Sequence, residues 1–257
     1  EGLVGSWFAL VAYATTAAAS KTGLLSGVTN WVKGLWVTNL TTIPATIGLP
    51  SWGGVVILAA VTGLVVHRFI VLERSRPAQI QLPAQRTGLA HLLLEKQWNP
   101  LATGFLVGVV AVIAWPTSWA SGRPDGLGIT TPSSNLVNLI VTGDVERLDW
   151  GVLLVLGILL GSYLAAKASG EFRVRVPSAQ VIQRSIAGGV LMGIGAAWAS
   201  GCSIGNALVQ TSLLSWQGWI ALVFQVLGVG VAAWFLLIRP RQRRRAERAG
   251  SRVPATV

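Results

Sequence analysis

The chain has few ionisable or metal-binding side chains, and those few lie outside its long apolar runs. It contains one cysteine, two histidines and nine acidic residues among 257. A single cysteine excludes a disulfide framework, a C-x-x-C redox pair and a cysteine-rich metal site. A membrane enzyme that moves protons or electrons normally has an ionisable group at membrane depth. The sequence therefore predicts that the protein is not an enzyme and that it holds no cofactor or metal.

The chain is strongly apolar, with 52% hydrophobic and 11% charged residues and a mean hydropathy of +0.61. A bilayer-spanning helix needs roughly 20 mainly apolar residues. Twelve tryptophans, many at the ends of apolar runs, are typical of membrane interfaces. The short alternating segments of a membrane β-barrel do not occur. We predict an all-α integral membrane protein, a multi-pass helical bundle. Its candidate passes are Leu3 to Ala19, Trp52 to Val66, Leu101 to Trp115, Trp150 to Ala166, Ser185 to Ala199 and Trp216 to Ile238.

The net charge of +11 is distributed unevenly along the chain. Most of the twenty lysines and arginines lie in three segments, Arg68 to Lys96, Lys167 to Arg184 and Arg239 to Arg252. Basic loops flank membrane helices on the cytoplasmic side, so these segments and the C-terminus are predicted to be cytoplasmic. This placement favours the lipid bilayer of the inner (plasma) membrane, and not nucleic acid, as the partner. The intervening segments carry only Lys21, Lys33, Arg123 and Arg147.

The single cysteine lies in a motif that interrupts an apolar run. Gly201, Cys202, Ser203 and Asn206 follow the apolar residues 188–199 and precede a second apolar stretch. Broken helices at membrane depth occur where the backbone is buried in protein or lines a cavity, and in transporters they mark the substrate site. These four residues are therefore candidate substrate contacts. The alternative is that Cys202 packs as a small hydrophobic residue.

A second segment of mixed character spans residues 126–142, and its apolar run is too short to cross a bilayer. Thr131 suits the N-cap of a helix and Pro132 its first position. We therefore predict a re-entrant half-helix, whose N-terminal N–H groups attract anions. Ser203 is expected to cap another short helix in the same way. The alternative is an ordinary loop with a short surface helix. The candidate contacts in this segment are Thr130, Thr131 and Ser133.

A weak internal repeat accompanies these features. Trp7 to Val11 is similar to Trp219 to Val223, and the charge pattern orients the two helices oppositely, as in inverted-repeat transporters. We predict one transmembrane domain over residues 1–238, with repeats at 1–75 and 98–238, and a basic cytoplasmic tail at 239–257. An equivalent of the cysteine motif would precede Trp7, so the first repeat is expected to be truncated.

Five sequence motifs together resemble the YeeE/YedE family of membrane sulfur-transport proteins. They are Gly195 to Asn206, Ser215 to Trp219, Gly128 to Pro132, Trp98 to Pro100 and Leu40 to Thr46. The resemblance implies an inverted-repeat hourglass in which cysteines near a constriction contact a sulfur anion, thiosulfate in the best-understood members. Cys202 matches the cysteine of the second half. Glu1 and Gly2 would be the remnant of the first-half motif.

Three functions follow as hypotheses. The first is uptake of thiosulfate or a related sulfur anion through thiol, hydroxyl and half-helix N–H contacts. The second is a membrane enzyme that transfers sulfur through a persulfide on Cys202. The third is a scaffold that docks a soluble sulfur-carrier protein on its cytoplasmic basic loops. The absence of deep acidic or basic groups favours transport.

The charge pattern makes a testable prediction of topology. In a Cys202→Ser background, single cysteines replacing Ser75, Ser178 or Ser251 should resist an impermeant thiol reagent in intact cells. A cysteine replacing Ser121 is the matched control and should be labelled, because it lies in an intervening segment. Labelling of the first three and protection of the fourth would reverse the predicted orientation.

Overall fold

The computed structural model describes residues 4–35, 41–74, 98–170 and 172–242. Helices dominate these residues, which confirms the prediction of an all-α fold. A 3-10 turn, Val145–Arg147, precedes the seventh α-helix, and two π-helical segments are Ile204–Gln210 and Trp234–Ile238. The α-helices of the described residues are α1 (Val4–Lys21), α2 (Ser26–Gly34), α3 (Ile43–Thr46), α4 (Ser51–Arg74), α5 (Pro100–Ala120), α6 (Thr130–Thr142), α7 (Trp150–Ser169), α8 (Ala179–Trp198) and α9 (Trp216–Ala233).

Some predictions fall outside the described residues. These concern Glu1 and Gly2, most of the basic segment (residues 75–96) and the tail from residue 243. The proposed repeats and the cytoplasmic position of the C-terminus stay predictions.

Within the described residues, five helices are long and apolar enough to cross a membrane. They correspond to five of the six predicted passes: Ser51–Leu72, Pro100–Ala120, Trp150–Ser169, Ala179–Trp198 and Trp216–Gln242. The remaining predicted pass, Leu3 to Ala19, corresponds to α1. This helix has 18 residues but carries serine, threonine, tyrosine and lysine side chains. One face of α1 is buried against other helices. Its composition therefore fits a helix packed inside the protein.

The most extensive helix contact in the described part joins α1 and α8. The helices run parallel, because Gly189 lies against Ala9 and Gly193 against Tyr13. A Cβ atom at Gly193 would lie 2.7 Å from the Tyr13 carbonyl oxygen and 3.0 Å from the Ala17 nitrogen. Small residues four positions apart allow two membrane helices to approach this closely. The pairing fixes Tyr13, near the middle of α1, beside the last turns of α8.

The predicted short helix forms as α6, with 13 residues from Thr130 to Thr142. Its length of about 20 Å is less than the roughly 30 Å of a bilayer core. It runs antiparallel to α7, since Asn135 Nδ2 donates to Asp149 Oδ2 at 3.1 Å and Pro132 packs against Gly151. The Tyr13 hydroxyl donates to Thr130 Oγ1, so the helix begins next to the middle of α1. Its re-entry from one face of the bilayer stays a prediction.

The α1–α8 contact leads to a test by glycine substitution. Gly193→Ala should lower the free energy of unfolding by about 1–3 kcal/mol, because the added methyl group meets backbone atoms that cannot move aside. Gly188→Ala is the matched control, since a Cβ there meets nothing within 4 Å. It should leave stability unchanged or slightly raised. Denaturant unfolding in detergent measures both, and equal effects would contradict the packing argument.

Candidate functional site

The helical run that carries Cys202 is broken. Helix α8 ends at Trp198, and Ser200 takes a left-handed conformation with φ of 57°. The chain resumes as the π-helical segment Ile204–Gln210, a form that often occurs at functional sites. The predicted interruption of the apolar run is therefore confirmed. The backbone carbonyls that the break frees need other partners.

Asn206 supplies those partners. Its side chain is 0% exposed. The amide nitrogen donates to the carbonyl oxygens of Ala199 at 3.1 Å and Gly201 at 2.9 Å. The amide oxygen accepts from Gln217 Nε2 at 3.1 Å, and the Asn206 backbone N–H donates to the Cys202 carbonyl at 2.8 Å. The two N–H groups of the Asn206 amide therefore connect the residues that follow α8 to the π-helical segment.

The two predicted helix caps are wrong. Helix α6 begins two residues earlier than predicted, at Thr130, and no side chain caps it. Thr131 lies inside the first turn, and its hydroxyl accepts a hydrogen bond from the Lys21 ammonium. Pro132 is tolerated there because first-turn N–H groups lack helical partners. Ser203 precedes the π-helical segment in helical conformation and makes no capping bond; a capping side chain normally requires extended backbone.

The Cys202 thiol lies where the two helical segments begin. It interacts with the Thr130 side chain, and with the backbones of Ile129 before α6 and Gly205 in the π-helical segment. The Tyr13 hydroxyl donates to Thr130 Oγ1 at 2.8 Å in a buried contact. Cys202 also packs against the apolar cluster that contains Tyr13. The thiol therefore lies close to the middle of α1, well inside the bundle.

A polar pocket of about 70 Å³ opens beside the thiol, with room for a few water molecules or one small anion. Ser203 is exposed and does not line it. Ser133 is 2% exposed, and its hydroxyl has no hydrogen-bond partner among the described residues. The predicted contacts that line the pocket are Gly201, Cys202, Asn206, Thr130 and Thr131. The structure thus gathers five of the seven, and substrate binding by all of them stays a prediction.

A larger apolar groove of about 980 Å³ lies between α8 and α9. Residues such as Leu191, Leu222 and Val226 line it, and Ser203 lies at its wall. Gly201 and Cys202 line both the groove and the polar pocket. The thiol therefore lies at the boundary between a polar and an apolar cavity.

Sequence reasoning missed several residues that line or support the polar pocket and the groove beside it. Tyr13 gave no signal, because a tyrosine in an apolar run usually indicates an interface. Gln210 was detectable as a polar residue inside an apolar stretch. Arg123 and Asp125 form an ion pair with a 3.1 Å separation at the rim. This pair was detectable in the sequence because Arg123 is an isolated arginine between two predicted passes.

The fold and the site together define a class of protein. The described residues include five long apolar helices, one of which is broken at its end, and a thiol, hydroxyls and helix N-termini meet at a small polar pocket. Broken helices of this kind form the substrate sites of membrane transporters.

The chain belongs to the sulphur transport family, which matches residues 1–231. This membership confirms the resemblance to YeeE/YedE proteins and the prediction of a transporter rather than an enzyme. A relative from Escherichia coli (strain K12), named thiosulfate transporter TsuA, is 46% identical over 251 residues, which are 98% of this chain and 70% of the relative. A protein of the same name from Spirochaeta thermophila is 32% identical over 253 residues, 93% of this chain and 70% of that relative.

The role of Asn206 in holding the break can be tested by stability. Asn206→Ala should lower the free energy of unfolding by about 1–3 kcal/mol, because the part-buried Gly201 carbonyl loses its side-chain donor and the Ala199 carbonyl keeps only Gln217. Ser203→Ala is the control, since its exposed hydroxyl makes no capping bond. It should change stability by less than about 0.5 kcal/mol. Thermal unfolding in detergent compares the two, and an equally stable Asn206→Ala protein would remove Asn206 from this role.

Proposed function

We propose that this protein takes up thiosulfate across the inner membrane and that the anion passes Cys202 on its way. The position of Cys202 between a polar pocket and an apolar groove carries the proposal. Two relatives that are named as thiosulfate transporters suggest the substrate.

The chemistry of the pocket suits a transient stop for a sulfur oxyanion. Thiosulfate spreads its negative charge over oxygens and a terminal sulfur, all hydrogen-bond acceptors. The Cys202 thiol and the hydroxyls of Thr130 and Thr131 are neutral donors, and helix N-termini add N–H groups. Conduction requires sites that bind strongly enough to admit an ion and weakly enough to release it. Neutral donors at the narrow point meet that requirement.

Different residues have different roles in this proposal. Cys202, Gly201, Thr130 and Thr131 contact the anion. Asn206 positions them, since its amide is already bonded to the backbone of the break. Ser203 lines the groove and faces the anion from that side. Ser133 is buried and supports α6 from within the bundle.

The proposal includes an orientation and a partner. With the basic segments and the C-terminus in the cytoplasm, α1 and α8 both run outward, and the polar pocket opens to the outside. The segment from Lys167 to Arg184 then faces the cytoplasm, where a soluble sulfur carrier would receive imported sulfur. The persulfide enzyme and the non-transporting scaffold receive no support from the relatives.

The thiol itself is the most direct test. Cys202→Ala should reduce uptake of radiolabelled thiosulfate into proteoliposomes at least tenfold, because one charge-assisted hydrogen bond at the narrow point is lost. Cys202→Ser should retain part of the activity, since a hydroxyl still donates. Neither change should shift the melting temperature much, because the side chain borders a cavity.

Ser162→Ala provides the matched control for Cys202→Ala. Its hydroxyl donates to Leu159 O within α7 at 2.9 Å and does not line the pocket. Uptake by this variant should equal that of the parent. Parental uptake by Cys202→Ala with an unchanged melt would show that the cysteine only packs.

A further inference from the structure

Lys21 is a basic residue that the proposed transport path does not use, although it is bonded to a residue of the pocket wall. It lies in the last turn of α1, about 12 Å beyond Tyr13 along the helix axis. Its ammonium donates to the hydroxyl of Thr131. Thr131 lines the pocket and is exposed, whereas the neighbouring Thr130 is 2% exposed. The Lys21–Thr131 contact therefore lies at the mouth of the pocket.

Two cations near this mouth differ in how they are held. The Arg123 guanidinium is paired with Asp125 at 3.1 Å and donates to Gly126 O at 3.1 Å and Ser118 Oγ at 3.3 Å. Its charge is therefore compensated, and its geometry is fixed. The half-buried Lys21 ammonium is bonded to a neutral hydroxyl and, among the residues that the structure describes, to no carboxylate.

The surroundings of Lys21 carry a net positive charge. Its ammonium interacts electrostatically with Lys33, Arg123 and Asp125. Asp125 does not neutralise the positive charges of Lys21 and Lys33, because its carboxylate is already paired with Arg123. An anion that approaches this end of α1 therefore meets an attractive field that leads to the pocket.

We propose that Lys21 and Thr131 form an anion-capture site, at which a doubly charged oxyanion binds before it reaches Cys202. The inference rests on the proposed function for the identity of the anion, thiosulfate. An oxyanion competes well for the ammonium, because hydrogen bonds between two charged partners are stronger than a bond to a neutral hydroxyl. Once displaced, the Thr131 hydroxyl is free to donate to the same anion. Lys21 thereby becomes a residue that sets affinity and charge selectivity.

Thiosulfate binding to the purified protein, measured by calorimetry, tests this site without requiring transport. Lys21→Gln keeps a polar side chain but removes the charge, and it should raise the Kd at least tenfold. Lys21→Arg should stay within a few-fold of the parent, because the charge remains. Thr131→Val should weaken binding less than Lys21→Gln. Added salt should weaken binding to the parent more steeply than binding to Lys21→Gln, since charge attraction is screened.

Arg147→Gln is the matched control, since Arg147 pairs with Asp144 at 3.1 Å and does not line the pocket. Its Kd and its salt dependence should equal those of the parent. In proteoliposomes, Lys21→Gln should raise the KM for thiosulfate and leave the maximal rate nearly parental, whereas Cys202→Ala lowers the rate. Lys21→Met replaces Lys21→Gln if the glutamine variant does not fold.

The outcomes separate this site from the proposed function. An unchanged Kd and salt slope in Lys21→Gln or Lys21→Met would overturn the capture site, whatever the transport result. A parent that binds no oxyanion would overturn it as well. Lys21-dependent binding in a protein that moves no thiosulfate would support the capture site and reject the transport proposal.

Discussion

The structure around the site depends on one constraint: a helix broken inside an apolar bundle must satisfy the backbone groups that it frees. Asn206 meets that constraint with a single side chain, bonding the carbonyls of Ala199 and Gly201 while its own oxygen accepts from Gln217. Without these bonds the Gly201 carbonyl would lose its side-chain donor, and the Ala199 carbonyl would depend on Gln217 alone. The broken helix is therefore a fixed element, which can hold a thiol in one place beside a pocket.

The α1–α8 contact completes the site from the other side. Gly189 and Gly193 let the two backbones meet, and Tyr13 thereby reaches Thr130 at the start of α6. Three elements far apart in sequence thus converge on one thiol. A larger residue at Gly193 would push α1 away, and the Tyr13–Thr130 hydrogen bond would be lost with it. The small residues of α8, although distant from substrate chemistry, fix the width of the site.

The elements of the fold were predictable from the sequence, but most side-chain partners were not. Apolar runs predicted five of the spanning helices, and the glycines around Cys202 predicted the break, because both are local properties of the chain. The caps at Thr131 and Ser203 were wrong for two different reasons. The Thr131 hydroxyl is bonded to Lys21 from another helix, and local capping rules contain no information about such a partner. Ser203 lies in helical conformation, and the Asn206 N–H that it would have capped donates to the Cys202 carbonyl instead.

The distribution of charge along the pocket explains how attraction and release can coexist. The attraction between a cation and an anion 4 Å apart is about 1 kcal/mol in bulk water and about 4 kcal/mol near a protein surface, and it grows further as water is excluded. A cation at the depth of Cys202 would therefore hold a dianion too strongly for rapid passage. Lys21 lies at the mouth, where water screens the pair, and the donors at depth are neutral. This gradient, from a charged mouth to an uncharged narrow point, lets the anion be collected first and released afterwards.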